Sequence, residues 1–290
     1  MKIFSPATLA NFTVGFDFMG LCLDFGDTFE INKLKEEEIR ICSNINLPLN
    51  PKENICGIVY LKMKKDFSLE GGISIKINKK IPLGSGMGGS ATSAVATAYA
   101  INKLYNLNLE NKDILYYSSV GEGLNGDAHY DNIAPCLLGG FQILDNNNNS
   151  KEIKFPNWNI YILYQDIFLN TSESRKKLNP SVSLKDYVKQ SKYLANSLIA
   201  IQNNDFKCFK DNMKDLIIED QRKCNIKNYD ILKEFLNDNN MVMNISGSGP
   251  SIFIISEKDE EEKIKKFTKE KGINSVLIKS SIGRGTYEIY

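Results

Sequence analysis

One glycine-rich stretch constrains this chain more than any other: Pro82-Leu83-Gly84-Ser85-Gly86-Met87-Gly88-Gly89-Ser90-Ala91-Thr92. It follows Gly72-Ile73-Ser74-Ile75-Lys76-Ile77-Asn78, where apolar and polar side chains alternate with the period of a half-buried strand. It leads into residues 90–104, an alanine-rich segment capped by Ser90 or a neighbour, which predicts a tightly packed helix. A strand, a glycine loop and a helix in that order suit a phosphate. Without Cβ atoms the loop can wrap closely, and the helix N-terminus adds unpaired N–H donors and a positive dipole end. Ser90 or Thr92 offers a hydroxyl to a magnesium ion. The stretch is not the G-x-x-x-x-G-K-[ST] loop, because no lysine follows the glycines. Gly84, Gly86 and Gly89 do satisfy G-x-G-x-x-G, but context argues against a dinucleotide site. The preceding strand alternates where a central parallel strand would be continuously apolar, and the acid some 20 residues on, Glu110, lies in a polar run. A helix entry with glycines for close packing is the plainer alternative.

The rest of the chain sets the scale. Its 290 residues suit two domains or one large one. With 42% hydrophobic and 24% charged residues it is neither collagenous, disordered nor a small disulfide scaffold. A net charge of +1 leaves no long-range positive field, so neither a nucleic acid nor an anionic membrane is an expected partner. No apolar run approaches the roughly 20 residues that cross a bilayer. The six cysteines form no C-x-x-C pair and His129 is the only histidine, which argues against zinc. Met1-Lys2-Ile3 runs directly into a strand-like segment, and a reducing cytoplasm is the expected setting. Residues 1–32 read as two strands around a turn, 111–121 as a helix, and 139–155 as a hairpin around an asparagine loop. Helical patterns fill 172–239; strands at 241–245 and 251–255 flank a glycine turn; a charged helix and a final strand pair close the chain. Irregular alternation favours an α+β fold over a parallel doubly wound sheet.

If the loop holds a triphosphate, phosphoryl transfer also needs a metal ligand and a positioned hydroxyl. Glu122, among glycines at a helix end, is the best candidate carboxylate, with a plain surface acid as the alternative. His129, Asp131 and Asn132 either line an acceptor pocket or form an ordinary turn before Pro135. Asn11 suits an alcohol and Asp17 an ammonium group, or both stabilise an Asx turn. The chain has only four arginines; two of them, Arg175 and Arg222, carry planar forks suited to a carboxylate unless they are simply solvated.

Taken together, the blocks PATLANFTVGFDFMG (6–20), PLGSGMGGSATSA (82–94) and NISGSGPSIF (244–253) resemble the GHMP superfamily of small-molecule kinases, which includes galactokinase and mevalonate kinase. GFD at 15–17, HYDNIAPCLLGG at 129–140 and TSESRKKLNP at 171–180 narrow the resemblance to its homoserine kinases. The resemblance implies a two-domain α+β fold: a ribosomal-S5 domain-2-like N-terminal domain (1–155) and a ferredoxin-like C-terminal domain (156–290), with the active site between them. It implies ATP on Pro82 to Thr92, with Asn54 near the adenine, and Mg²⁺ near Ser90 and Glu122. L-homoserine would be held by Asn11, Asp17, His129, Asp131, Arg175 and Arg222. The arginines would take its carboxylate, Asp17 its ammonium, and Asn11 with Asp131 its hydroxyl. Asn132 stands where mevalonate kinase-like relatives carry a catalytic aspartate, so the implied mechanism is alignment and charge neutralisation, with the proton lost late. A homodimer is also implied. Departures from the pattern are Gly89 for the first serine of the loop's usual pair, Met87 for leucine, Asn179 for leucine before Pro180, and a short spacer from Glu122 to His129. Two other readings are a kinase of the same superfamily acting on a mevalonate-like alcohol, and a nucleotide-binding sensor without turnover.

Overall fold

The computed structural model describes residues 1–290 except Thr13, 124–127 and 168–170, and omits the side chains of 171–173. Two sheets organise it. The first contains β1 (Lys2–Ala10), β2 (Met19–Leu34), β3 (Ile39–Ser43), β4 (Gly72–Asn78), β5 (Phe141–Leu144), β6 (Ser150–Ile153) and the C-terminal β11 (Tyr287–Glu288). Its path is β11-β1-β2-β4-β3, with β5 pairing to β2 and β6 to β5. Only β3 and β4 run parallel. The long β2 serves two neighbours on one edge: Thr28–Leu34 pairs with β4, and Met19–Leu21 with β5. Four helices accompany this sheet: α1 (Ile55–Phe67), α2 (Gly89–Leu104), α3 (Asn111–Glu122) and α4 (Tyr130–Leu138). Ile73, Ile75 and Ile77, the apolar set of the alternating strand, join Ala91, Ala94, Val95 and Ala98 in one buried cluster. The small α2 side chains permit that close approach.

The second sheet has the order β10-β7-β9-β8, built from β7 (Asn159–Tyr164), β8 (Val242–Ile245), β9 (Ile252–Ser256) and β10 (Val276–Ser280). Every pairing in it is antiparallel. Counted along the chain, its strands lie fourth, first, third, second, which is the ferredoxin-like arrangement. Its helices are α5 (Thr171–Lys176), α6 (Leu184–Asn203), α7 (Phe206–Asn212), α8 (Glu219–Arg222), α9 (Tyr229–Asp238) and α10 (Glu261–Glu270). The arrangement is thus the two-domain α+β fold that the resemblance implies. Among the described residues no helix is long and apolar enough to cross a membrane, and all six cysteines are free thiols.

Three local outcomes differ from the sequence reading. The last two strands do not pair with each other: β10 pairs with β7, whereas β11 pairs with β1 through Ile3–Glu288 and Phe4–Tyr287. An isolated bridge, Leu23–Ile282, starts this return to the first sheet. A second unit drawn as 156–290 therefore gives its last residues to the first sheet, because β1 offers a free edge there. Residues 131–135 are helical, not a turn, although Pro135 sits inside α4. The proline cannot donate to the Asp131 carbonyl, and Gly20 of β2 packs there, where a side chain would crowd Pro135 Cγ at 2.9 Å. Finally, α2 begins at Gly89 and its cap is the near neighbour Gly88, left-handed and with no side-chain bond, so Ser90 lies inside the helix.

An aromatic cluster joins the halves. Phe12, in the loop after β1, stacks on Phe253 of β9 with ring centroids 5.1 Å apart, and it also contacts Phe141, Phe155 and Phe209. Asn11 and Phe12 both adopt positive φ (67° and 35°), a costly conformation for residues with Cβ atoms. Complete burial of the Phe12 ring offsets that strain.

Candidate active site

The glycine loop crosses from the first sheet to the glycine turn between β8 and β9. Ser246 Oγ donates to the Gly86 carbonyl at 2.7 Å, and the Ser251 N–H to the Ser85 carbonyl at 3.2 Å. Gly86 has a φ of 76°, and a Cβ there would lie 2.5 Å from the Ser246 carbonyl oxygen and 2.7 Å from that of Gly249. Glycine is thus required on both conformational and steric grounds. On the other side the Thr8 N–H donates to the Met87 carbonyl.

These contacts shape a cavity of about 640 Å³ at the N-terminus of α2. Pro82 to Gly86, Gly88, Gly89 and Ser90 line it, with Asn54, Lys79, Glu122, His129, Asn132, Gly247 and Ser248. Three residues expected at the nucleotide turn elsewhere: Met87, Ala91 and Thr92 are fully buried and absent from the cavity wall. The Met87 and Ala91 side chains belong to separate hydrophobic cores, and the Thr92 hydroxyl donates to Asp27 Oδ2 at 2.6 Å. Asn54 lines the wall, yet both ends of its amide are used in capping α1: Oδ1 accepts from the Cys56 N–H and Nδ2 donates to the Pro48 carbonyl.

Ser90 and Glu122 both face the cavity. Glu122 is half-buried as a residue, but its Oε1 is sealed from solvent and has no hydrogen-bond partner among the described residues. Burial and then the charge of Asp131 push its carboxyl up to about 8, while Lys79 opposes the shift. An orphaned carboxylate oxygen beside an exposed hydroxyl fits a hard divalent cation. Among the described residues no three His, Cys, Asp or Glu side chains cluster as a metal cage. This sparse donor set suits Mg²⁺ held chiefly by phosphate oxygens.

The residues expected to hold the acceptor adjoin this cavity, assembled from four separate segments. The Asn11 N–H donates to Asp131 Oδ2 at 3.1 Å, its Oδ1 accepts from the Asp17 N–H, and its Nδ2 donates to the Gly247 carbonyl. Arg222 Nη1 donates to that same carbonyl at 2.6 Å. Arg175 grips Asp17 with both fork nitrogens, at 2.8 and 2.5 Å. The two guanidinium carbons lie 5.6 and 5.1 Å from the centre of the Phe16 ring, within cation–π range. Asp131 is buried and its Oδ1 has no hydrogen-bond partner among the described residues; burial, then the Asp17 charge, pushes its carboxyl up to about 7. His129 caps α4 at the cavity wall. The structure thus brings together Asn11, Asp17, Asp131, Arg175 and Arg222, with Asn132 and His129 between them and the glycine loop.

Sequence reading missed Thr8, Phe16, Asp27 and Lys79. Thr8 Oγ1 donates to Asn132 Oδ1 at 2.7 Å, which leaves the amide nitrogen of Asn132 as its available group. Asp27 carried a visible signal: it shares a strand face with Phe29 and Ile31, an acid in an apolar row. Lys79 carried little, being one of 32 lysines.

Two family models match the chain: the GHMP kinases N terminal domain over residues 54–140 and the GHMP kinases C terminal domain over 197–274. The homoserine kinase of Methanococcus vannielii is 34% identical, the match covering 99% of this chain and 97% of that protein. The homoserine kinase of Thermoplasma volcanium is 31% identical over 91% and 86%. The crystal structure of homoserine kinase from Cytophaga hutchinsonii superposes with a TM-score of 0.93 at 33% identity, covering 100% of this chain and 97% of that one. A mevalonate kinase shares the fold at a TM-score of 0.74 and 19% identity. With its glycine loop, its two-sheet architecture and this likeness over its whole length, the chain belongs to the GHMP kinases, in their homoserine kinase family.

Proposed function

We propose that the protein transfers the γ-phosphoryl group of ATP to the side-chain hydroxyl of L-homoserine, making O-phospho-L-homoserine for threonine biosynthesis. One observation carries this reading: a phosphate-type cavity abuts a cluster in which two guanidinium groups face two carboxylates, the charge complement of an amino-acid zwitterion. In the ligand-free protein Arg175 and Asp17 neutralise each other. The zwitterion replaces that contact with two, its carboxylate on the arginines and its ammonium on Asp17. A mevalonate-like acid offers nothing to Asp17.

The N–H groups of the glycine loop and the first turn of α2 would hold the phosphates. Ser90 and Glu122 would hold Mg²⁺, which would supply positive charge to offset that of the phosphates. Asp131 Oδ1, buried and unpartnered, would accept the substrate hydroxyl and aim its oxygen along the transfer axis. Asn132, its carbonyl engaged by Thr8, would present N–H donors to the moving phosphoryl group. Catalysis in this reading is alignment plus charge stabilisation, with no dedicated strong base. We place the enzyme in the cytoplasm as a homodimer.

The test is ADP release over a panel of homoserine, mevalonate, galactose and shikimate. Homoserine alone should drive turnover; equal rates with mevalonate would defeat the proposal.

A further inference from the structure

Asp27 is completely buried, and its carboxylate accepts from four donors. Oδ1 takes the N–H groups of Lys80 and Ile81 at 2.7 and 3.0 Å; Oδ2 takes the Thr92 hydroxyl at 2.6 Å and faces Lys79 Nζ at 2.5 Å. These donors stand on both feet of the glycine loop: 80 and 81 where it leaves the first sheet, and 92 in the first turn of α2. Lys79 ties the same helix turn from the other side, donating to the Gly89 carbonyl at 2.6 Å and to Thr92 Oγ1 at 3.0 Å. Its side chain is 2% exposed.

Two charges buried this deeply are costly to desolvate, and an apolar pair of similar volume would commonly serve stability as well. Their geometry supplies what an apolar pair could not, a directional link across the base of a loop whose glycines impose little shape of their own. We infer that Asp27, with Lys79 and Thr92, is a positioning cluster for ATP: it sets the distance between the two feet of the loop and so holds the loop N–H groups at the spacing of the phosphate oxygens. None of the cluster's bonds reaches the acceptor residues, so homoserine binding should not depend on it. The inference rests on the ATP reading of the loop.

The experiment compares wild type, Thr92→Val, Thr92→Ser and Asp27→Asn by calorimetric titration with ATP and by steady-state kinetics in both substrates. Thr92→Val keeps the side-chain volume and removes the hydroxyl. It should weaken ATP binding and raise the KM for ATP about tenfold, the loss of one hydrogen bond to a buried carboxylate. The KM for homoserine should stay within about twofold, and Thr92→Ser should restore ATP binding. Asp27→Asn should act in the same direction more strongly; if it does not fold, the two Thr92 variants decide. Wild-type affinity for ATP in Thr92→Val would overturn the inference, as would an equal rise in both KM values. A wild type that binds no ATP would remove this inference together with the reading of the loop. A wild type that binds ATP but ignores homoserine would remove only the substrate assignment, and the calorimetric comparison would still decide the cluster's role.

Discussion

The two ends of the active site are built by opposite means. At the nucleotide end the wall is mostly backbone: glycines in left-handed conformations expose N–H groups, while Met87, Ala91 and Thr92 face the protein interior. At the acceptor end the wall is side chain: Asn11, Asp17, Asp131 and Arg175 arrive from distant segments and already bond to one another, and Arg222 joins Asn11 on the Gly247 carbonyl. Main-chain donors suit a polyphosphate common to many enzymes. A lattice of paired charges suits one substrate, because any ligand must match the contacts it displaces.

That contrast can be broken experimentally. The largest effect is expected from Arg222→Ala at the acceptor end, where losing one partner of a buried charge cluster should lower kcat/KM for homoserine by about 2–5 kcal/mol. ATP affinity, measured by titration, should be unchanged; a parallel loss of both would erase the distinction between the ends. Next comes Gly86→Ala, which forces a Cβ onto two carbonyl oxygens at a positive φ. It should cost about 1–3 kcal/mol, read mainly as a raised KM for ATP. Thr8→Val frees the Asn132 carbonyl and should lower kcat by about tenfold with both KM values little changed, as loss of one buried hydrogen bond implies. This variant sharpens the comparison because Thr8 serves the junction between the ends.

The last test reads stability in place of activity. Asp131 and Glu122 have carboxyls raised to about 7 and about 8, so between pH 4 and these values the folded, ligand-free protein holds more protons than the unfolded chain. Stability should therefore be greatest at the acidic side of that window and decline as pH rises through it. Asp131→Asn should flatten the decline in thermal melts without metal or substrate. An unchanged slope would mean that the buried acids do not resist ionisation.

Legibility followed the same division. The glycine loop is contiguous, so its strand, turn and helix could be read from spacing alone. Arg175 and Asp17 lie 158 residues apart, and nothing in spacing or composition pairs them; resemblance to a family named both, but not their mutual contact. α4 was obscured because Pro135 is a breaker in isolation, whereas here Gly20 makes room for the carbonyl it displaces. The inward turn of the Met87 side chain was not legible, because a turn has no period from which to infer it. Asp27 was legible in principle, as an acid on an otherwise apolar strand face.

The return of the C-terminal tail carries a mechanical consequence. The chain passes between the two sheets twice, once before β7 and again after β10, and the Ile289 N–H donates to the Lys2 carbonyl at 2.7 Å. Halves moored by two covalent spans, with Phe12 packed across them, are held more tightly than halves on a single linker. Any relative movement has to bend both spans together, so the freedom left to the cleft is smaller than one crossing would allow.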